Sequence, residues 1–318
     1  MRRHNAYVPH GVIPAVILPF KDDLAIDEAG FRKHLRDVTA TEGLSAITIN
    51  AHSTEVASCT FDEQKRVLDI AQDEIGARVP IVNGIWADGS LEAARIARMA
   101  SDGGASALLV FPPAPFTLGQ SPAMALAHFK RIADATDLPL IAFQYPLATG
   151  QGYPNDTLLR LVEEVPSIRA IKDWSGTVQQ HEWHVRTLQS LPRPVNVLST
   201  QSSWLLSSLV LGCKGLLSGS GSVIADLQAA LFRAVQGNDL GAARRIYDRI
   251  SPLASVFYAQ PWADMHNRMK EALVLLGRLP RAIVRPPLVK LEAAETKRIR
   301  SALVEAGLLS KPKDRDAA

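Results

Sequence analysis

The stretch Ile168-Arg169-Ala170-Ile171-Lys172-Asp173-Trp174-Ser175-Gly176 predicts a short buried strand that ends on a lysine and opens into a turn. Isoleucine and alanine favour the strand, whereas aspartate, serine and glycine are typical of turns and helix caps. Lys172 is therefore expected where strand gives way to loop, which in a β/α barrel is the catalytic rim. Burial there lowers the pKa of a lysine, and the neutral amine attacks carbonyl carbons. Lys172 is thus a candidate Schiff-base nucleophile; the alternative is a strand-end lysine whose ammonium extends to solvent.

The composition is typical of a soluble globular enzyme. Hydrophobic residues make up 47% and charged residues 21% of the 318 residues, enough for one barrel with an appendage or for two ordinary domains. The net charge of +3 is spread along the chain, which gives no electrostatic argument for binding nucleic acid or an anionic membrane. Cys59 and Cys213 lie far apart without metal-ligand spacing, which indicates free thiols in a reducing compartment and no metal site.

The apolar segment Gly11 to Phe20 follows Met1-Arg2-Arg3 and could suggest a secretion signal. Pro14 and Pro19 interrupt it, and no small-residue cleavage site follows, so we interpret it as a first strand. No apolar run approaches the ~20 residues that a membrane span needs. A cytoplasmic protein is expected.

Strand and helix patterns alternate along most of the chain. Apolar strand segments are predicted at residues 12–18, 46–50, 80–83, 107–111, 138–143, 168–172, 195–198 and 215–217, each followed by a helical pattern. This alternation predicts an α/β fold, a (β/α)8 TIM barrel over residues 11–236. Three further helices predict a C-terminal helical domain over 237–310, with a flexible N-terminus at 1–10 and a disordered tail at 311–318.

A series of segments then points to one enzyme family. They are Gly11 to Phe20, Ser53-Thr54-Glu55, Ile171-Lys172-Asp173-Trp174-Ser175-Gly176, Leu211-Gly212-Cys213-Lys214-Gly215 with Ser218-Gly219, and Val284-Arg285-Pro286-Pro287-Leu288. On these segments nearly the whole chain resembles the dihydrodipicolinate synthase and N-acetylneuraminate lyase superfamily of class I, pyruvate-type aldolases. The resemblance implies a TIM barrel with a C-terminal helical domain, a homo-oligomer (tetramer or dimer), and an imine between Lys172 and a 2-oxo acid. It implies no cofactor and no metal.

The loop after the second predicted strand is expected to bind the substrate carboxylate. Ser53 and Thr54 offer hydroxyl groups there, as the family's threonines do, together with backbone N–H groups. An ordinary polar loop is the alternative. Glu55 is expected to brace this loop rather than to transfer protons.

The chain departs from the family at several positions. The family tyrosine that shuttles protons to the imine is replaced by Phe143, and the first threonine of the relay aligns with His52. The tyrosine lent by a neighbouring subunit falls near Ala114. The arginine that binds the semialdehyde carboxylate in the synthases aligns with Ala148, which argues against lysine biosynthesis.

Two side chains are candidates for the missing proton transfer. Tyr145 lies two residues beyond Phe143, so in a continued strand it faces the same way, and its phenol could replace the lost one. His52 carries an imidazole, which can both give and take a proton near neutrality. The alternatives are packing at the rim for Tyr145 and a loop-holding hydrogen bond for His52.

Other side chains are assigned to the substrate pocket or set aside. Phe143, Thr200 and Leu217 are expected to line the pocket, with Thr200 and Gln201 near distal substrate hydroxyls. Aromatic residues at the rim, including Trp174 and Trp204, favour an apolar or aromatic substrate end. His181-Glu182-Trp183-His184 is interpreted as a surface helix rather than a metal site, and Asp264-Met265-His266-Asn267-Arg268 as an intersubunit or capping feature.

The function predicted from these residues is a Schiff-base lyase, an aldolase or dehydratase, that acts on a 2-oxo acid such as pyruvate. A member that binds or senses a 2-oxo acid without turnover is the alternative, favoured by Phe143. A 4-hydroxy-tetrahydrodipicolinate synthase is a third hypothesis, disfavoured by Ala148 together with Phe143.

Overall fold

The structure is a computed structural model that describes His4 and residues 7–310. The predicted disordered tail at 311–318 lies outside the described residues, as does part of the predicted flexible N-terminus. Of that N-terminus, Tyr7 packs against the barrel core and Pro9 accepts a hydrogen bond from Asn196 at 2.8 Å.

Eight parallel strands form one sheet in the order β1-β8-β7-β6-β5-β4-β3-β2. Their bounds are β1 (Gly11–Pro14), β2 (Ile47–Ile49), β3 (Ile81–Ile85), β4 (Ala107–Val110), β5 (Leu140–Gln144), β6 (Ile168–Asp173), β7 (Asn196–Ser199) and β8 (Gly215–Ser218). Parallel bridges from Val12 to Leu44 and from Ala15 to Thr48 join β1 to the β2 side and complete the ring. The predicted (β/α)8 barrel is confirmed.

The outer layer consists of helices that follow the strands. They are α1 (Glu28–Thr39), α2 (Phe61–Ile75), α3 (Ser90–Asp102), α4 (Pro122–Ala133), α5 (Asn155–Glu164), α6 (Val178–Leu188), α7 (Leu205–Val210) and α8 (Gly221–Gln236). The capping box that the sequence predicts at the start of α2 is present, because Thr60 and Glu63 each bond the other's backbone N–H. One apolar core fills the space between this layer and the sheet.

A second apolar cluster fills the barrel interior. It includes Ile13, Val82, Leu109, Ile141, Ala170, Leu198 and Leu217 along the axis, with Phe111, Phe143 and Tyr145 at the end where the strands terminate. Alternate residues of parallel strands therefore point inward, as in other barrels of this type. The interior is a packed core, and its upper end is the mouth of the barrel.

A register shift between β5 and β6 sets which side of β6 faces inward. Leu140 pairs with Ile168, but the next residue, Ile141, pairs with Ala170, so Arg169 is an extra residue in β6. As a result Ile168 packs in the outer core while Ala170 belongs to the interior cluster. The irregularity thus orients Lys172 toward the axis.

Three helices follow the barrel: α9 (Leu240–Phe257), α10 (Met265–Leu275) and α11 (Ala293–Glu305). Helices α9 and α10 pack against α8, and α11 packs against α9 and α10. Helix α10 begins later than the predicted Pro261, because residues 262–264 form a 3-10 turn. No helix in the described part of the chain is both long and apolar enough to cross a membrane.

The segment between α9 and α10 is held by one buried arginine. Arg268 is 2% exposed, and Glu295 of α11 accepts a hydrogen bond from its Nε at 2.8 Å. Its remaining guanidinium nitrogens donate to the backbone carbonyls of residues 257, 259, 260 and 261. A planar guanidinium with several donors in fixed directions suits this role, so the segment that leads into α10 has a defined conformation.

Candidate active site

Lys172 lies at the carboxyl end of β6 and points into the barrel mouth. It pairs in register with Phe143 of β5 and Leu198 of β7, and its Nζ lies 4.1 Å from the centroid of the Phe143 ring. The side chain is buried, and burial lowers the pKa of Lys172 to about 7. A large fraction of the side chain is therefore a neutral amine at neutral pH, which is the nucleophilic form.

The two predicted proton carriers are hydrogen-bonded to each other. His52, in the turn after β2, has its Nε2 2.6 Å from the Tyr145 hydroxyl, which follows β5. Burial lowers the pKa of His52 to about 3, aided by the charge of Lys172, and burial raises the pKa of Tyr145. Both groups are therefore neutral near pH 7, and one proton is shared along this hydrogen bond. Tyr145 also joins the interior cluster with Phe143, as the period of two predicts.

In the loop after β2, the hydroxyl groups of Ser53 and Thr54 have different hydrogen-bonding environments. Thr54 Oγ1 donates to the Ala51 carbonyl at 2.8 Å and accepts from the Ala51 N–H at 2.9 Å, so this hydroxyl stabilises the loop itself. The Ser53 hydroxyl is buried, and none of the described residues hydrogen-bonds it. Of the two predicted carboxylate ligands, Ser53 thus has the hydroxyl free for a ligand.

Glu55 braces this loop, in agreement with its predicted role. It adopts a left-handed conformation, with φ 52°. Its carboxylate accepts hydrogen bonds from Lys270 Nζ of α10 and, at 2.9 Å, from the Arg285 N–H. Because these partners come from the C-terminal segment, the loop that carries His52 and Ser53 is tied to that segment.

Two other predicted pocket residues belong to the β7 and β8 side of the barrel. Thr200 follows β7, and its N–H donates to the Asp173 carbonyl at 3.1 Å, which links the ends of β7 and β6. Leu217 of β8 is fully buried in the interior cluster, paired in register with Ile13. Thr200 is thus at the rim, whereas Leu217 is in the wall of the barrel.

Aromatic rings form a continuous series across the mouth. The centroid separations are 5.3 Å for Trp86–Phe111, 5.3 Å for Phe111–Phe143, 4.5 Å for Phe143–Tyr145, 5.5 Å for Tyr145–Trp174 and 5.1 Å for Trp174–Trp262. Trp204 does not belong to this series, because its ring instead contacts His181, at 5.3 Å. The predicted aromatic rim therefore exists, but Trp86, Phe111 and Trp262 are members that the sequence did not indicate.

Helix α6 is not the plain surface helix that the sequence predicted. His181 and His184 are fully buried, and the Nδ1 of each lies 2.8 Å from Oδ2 of Asp173, the residue next to Lys172. The second oxygen, Oδ1, accepts the Ser175 N–H at 2.8 Å. Burial would raise the pKa of the Asp173 carboxyl, but His184 and His181 hold it well below its usual range. The cluster anchors α6 to the end of the lysine strand.

Sequence reasoning also missed the position of His266. This residue of α10 is buried, and its ring lies 6.5 Å from that of His52, at an interplanar angle of 13°. Its segment was interpreted as an intersubunit or capping feature, but it lies at the mouth of the barrel of its own chain. No local signal indicated this, because the contact depends on how α10 packs on the barrel.

Known proteins share both the sequence pattern and the fold. The profile of the dihydrodipicolinate synthetase family matches residues 8–306. A 4-hydroxy-tetrahydrodipicolinate synthase from Methanosarcina acetivorans is 30% identical over 94% of this chain and 99% of its own length.

Two solved structures show the same fold. One is a dihydrodipicolinate synthase from Thermotoga maritima, with a TM-score of 0.87 and 21% identity over 95% of this chain and 100% of its own. The other is a prophage protein of the dihydrodipicolinic acid synthase family from Escherichia coli K12, solved in complex with pyruvate, with a TM-score of 0.87 and 24% identity over 94% of this chain and 99% of its own. From its sequence and its fold, the chain belongs to the dihydrodipicolinate synthetase family of class I aldolase-type lyases.

Proposed function

We propose that this lyase forms an imine between Lys172 and a 2-oxo acid such as pyruvate, and that it makes or breaks a bond next to that imine. The observation that carries the proposal is the buried Lys172 amine at the barrel mouth, whose pKa of about 7 leaves it nucleophilic at neutral pH. The family relationship supports the same chemistry.

The chemistry follows from this amine. It adds to the 2-oxo carbon and water is lost, and the resulting iminium withdraws electrons from the adjacent carbon. Either an aldol cleavage or a loss of water can use this electron sink. The Tyr145 and His52 pair then exchanges a proton with the carbon next to the imine, in the role that Phe143 cannot perform. Ser53 donates to the substrate carboxylate.

The rim favours an apolar or aromatic distal half of the substrate. The rings of Tyr145, Trp174 and Trp262 contact one another in series at the mouth. By the family resemblance, Ala148 stands where the synthases carry an arginine, and Ala114 stands near the place of a tyrosine from a neighbouring subunit. These positions in this chain therefore offer no charge and no hydroxyl group. An aryl aldehyde as the partner of pyruvate fits this lining better than a polyhydroxylated or anionic one.

A second candidate is 4-hydroxy-tetrahydrodipicolinate synthase, because curated relatives carry that name. Ala148 and Phe143 argue against it, since neither supplies the group the synthases use. Condensation of pyruvate with aspartate semialdehyde, compared with benzaldehyde, distinguishes the two candidates. The relatives' names also weaken the alternative of a member that binds a 2-oxo acid without turnover.

The direct test is the intact mass of the protein after borohydride reduction in the presence of pyruvate. The wild type and a Lys21→Ala control, in which an exposed lysine is removed, should gain a pyruvate-sized adduct, and Lys172→Ala should not. If the pocket rejects pyruvate, borohydride reduction in the presence of a panel of larger 2-oxo acids will still detect the imine. Absence of any adduct across the panel would reject the imine mechanism and leave a binding role.

We also propose a cytoplasmic location and a homo-oligomer, a tetramer or a dimer, as the family resemblance implies. Sedimentation velocity of the purified protein measures the second directly. A single species of monomer mass over the concentration range of the assay would contradict it.

A further inference from the structure

His266 reaches the barrel mouth from outside the barrel. It belongs to α10, yet it packs against Gly219, which directly follows β8 on the catalytic rim. A Cβ atom at position 219 would lie 2.6 Å from His266 Nε2, closer than side-chain contacts allow. The absence of a side chain at Gly219 therefore makes room for this imidazole.

The His266 ring faces the proton-transfer pair. It lies nearly parallel to the His52 ring, and His52 in turn is bonded to Tyr145. The charges of His52 and Lys172, after burial itself, hold the pKa of His266 well below its usual range. These groups thus share one electrostatic environment, and His266 is a neutral base at physiological pH.

The hydrogen-bonding capacity of His266 is unused. Its side chain is 7% exposed, and neither ring nitrogen forms a hydrogen bond with another residue in the described part of the chain. By contrast, the buried histidines of α6 both bond Asp173. A buried imidazole without a partner beside a reactive lysine has a free nitrogen for a substrate atom.

The segment that carries His266 is also rigid enough to position it. Arg268, two residues further on, holds the carbonyls that lead into α10, and Lys270 bonds Glu55 of the loop that bears His52. These contacts fix α10 against the mouth on two sides. The position of the His266 imidazole is therefore fixed by a helix that is anchored on both sides.

We propose that His266 is a second acid–base catalyst of this site, and that it exchanges a proton with the oxygen on the distal carbon of the substrate. The proposal rests on the imine mechanism proposed above. Two separate proton transfers follow from it. Tyr145 and His52 exchange a proton with the carbon next to the imine, and His266 exchanges a proton with the oxygen of the aldehyde half.

In the cleavage direction the neutral imidazole takes the proton of the hydroxyl on C4 of the 2-oxo acid. The C–O bond becomes a carbonyl, the C3–C4 bond breaks, and its electron pair moves through C2 to the iminium nitrogen on Lys172, which gives an enamine and an aldehyde. C3 then takes a proton from the Tyr145 and His52 pair, and water releases pyruvate from Lys172. The proton on His266 passes to solvent, and solvent restores the proton of the pair, so the cycle balances.

The test separates the two proton transfers. Exchange of the pyruvate methyl protons with deuterium oxide, followed by NMR, requires the imine and the transfer at C3 but no aldehyde. Aldol addition of pyruvate to benzaldehyde or glyceraldehyde, followed by chromatography, requires the transfer to the distal oxygen as well. The variants are His266→Gln and His266→Ala, and His34→Gln removes another buried histidine, in α1, as a matched control.

For His266→Gln we expect borohydride trapping and methyl exchange within about twofold of the wild type, and aldol addition lower by ~100-fold, the usual loss when one acid–base group is removed. Added imidazole should restore part of the aldol rate in His266→Ala, which a purely structural role does not predict. The control should match the wild type in every assay.

Unchanged aldol addition in His266→Gln would overturn the proposal, and so would a parallel loss of methyl exchange and aldol addition without rescue by imidazole. If the wild type itself formed no imine with any 2-oxo acid, the proposed function would fail instead. The two failures are therefore distinguishable.

Discussion

Replacement of Lys172 by methionine should stabilise the folded protein, and more strongly at low pH than at high pH. Methionine fills a similar volume without a charge, so it removes the desolvation of the ammonium among the strand ends. The pKa of Lys172 is lowered from 10.5 to about 7, so the unfolded chain holds this proton more tightly than the folded one. The penalty is therefore fully present below pH 7 and disappears as the pH rises toward 10.5.

The size of the effect follows from that difference in pKa. A shift from 10.5 to about 7 corresponds to ~5 kcal/mol of free energy of unfolding at pH 6. By linkage the penalty falls to ~2 kcal/mol at pH 9, where the folded protein carries a neutral amine and the unfolded chain is still mostly charged. The stability advantage of Lys172→Met should thus shrink by ~3 kcal/mol between pH 6 and pH 9.

Urea denaturation of the wild type and of Lys172→Met at several pH values measures this difference. Other titrating groups are common to both proteins and largely cancel in the difference. Lys21→Met, which removes an exposed lysine, should show a difference that does not vary with pH. A constant difference for Lys172→Met from pH 6 to pH 9 would refute the claim that this amine titrates near neutrality in the folded protein.

The remaining predictions concern the groups around the lysine. Tyr145→Phe and His52→Gln should each lower aldol turnover by ~100-fold while borohydride still traps the imine, and the double variant should lose little more, because the two side chains act as one unit; additive losses in steady-state kinetics would contradict this. Ser53→Ala should raise KM for pyruvate about tenfold with kcat nearly unchanged, through loss of one hydrogen bond to a carboxylate; an unchanged KM would remove Ser53 from the carboxylate site. Asp173→Asn should lower the free energy of unfolding by ~3 kcal/mol, because the amide has one acceptor oxygen and no charge, so its NH2 group must face either the two histidine N–H groups or the Ser175 N–H; wild-type stability in urea would contradict this role.

Local sequence patterns were sufficient for much of the fold and for the position of Lys172 at the end of β6. The apolar run that ends at Lys172, the period of two that links Phe143 to Tyr145, and the capping box at Thr60 each depend on residues close in sequence. Such patterns can be recognised in one sequence, because the period of the backbone determines which side chains share a face.

The features that sequence reasoning missed depend on contacts between distant segments. Burial of His181 and His184 results from packing of α6 against Asp173, and the position of His266 results from packing of α10 across the mouth. The extra residue at Arg169 in β6 appears only in the pairing with β5. None of these leaves a periodic signal, since a histidine on an amphipathic helix has the same pattern whether its partner is water or a carboxylate.

The guanidinium of Arg268 determines which side chains of this polypeptide lie at the mouth, because it holds the segment that leads into α10. The resemblance to the family assigns one wall of that mouth to a neighbouring subunit, whose tyrosine has no counterpart near Ala114. Here Trp262 and His266 of the same polypeptide lie at the mouth. Arg268 fixes the segment that leads to them by hydrogen bonds to its backbone carbonyls. The chain itself thus supplies these two side chains at the mouth, so a change in oligomeric state would leave both of them in place around the lysine.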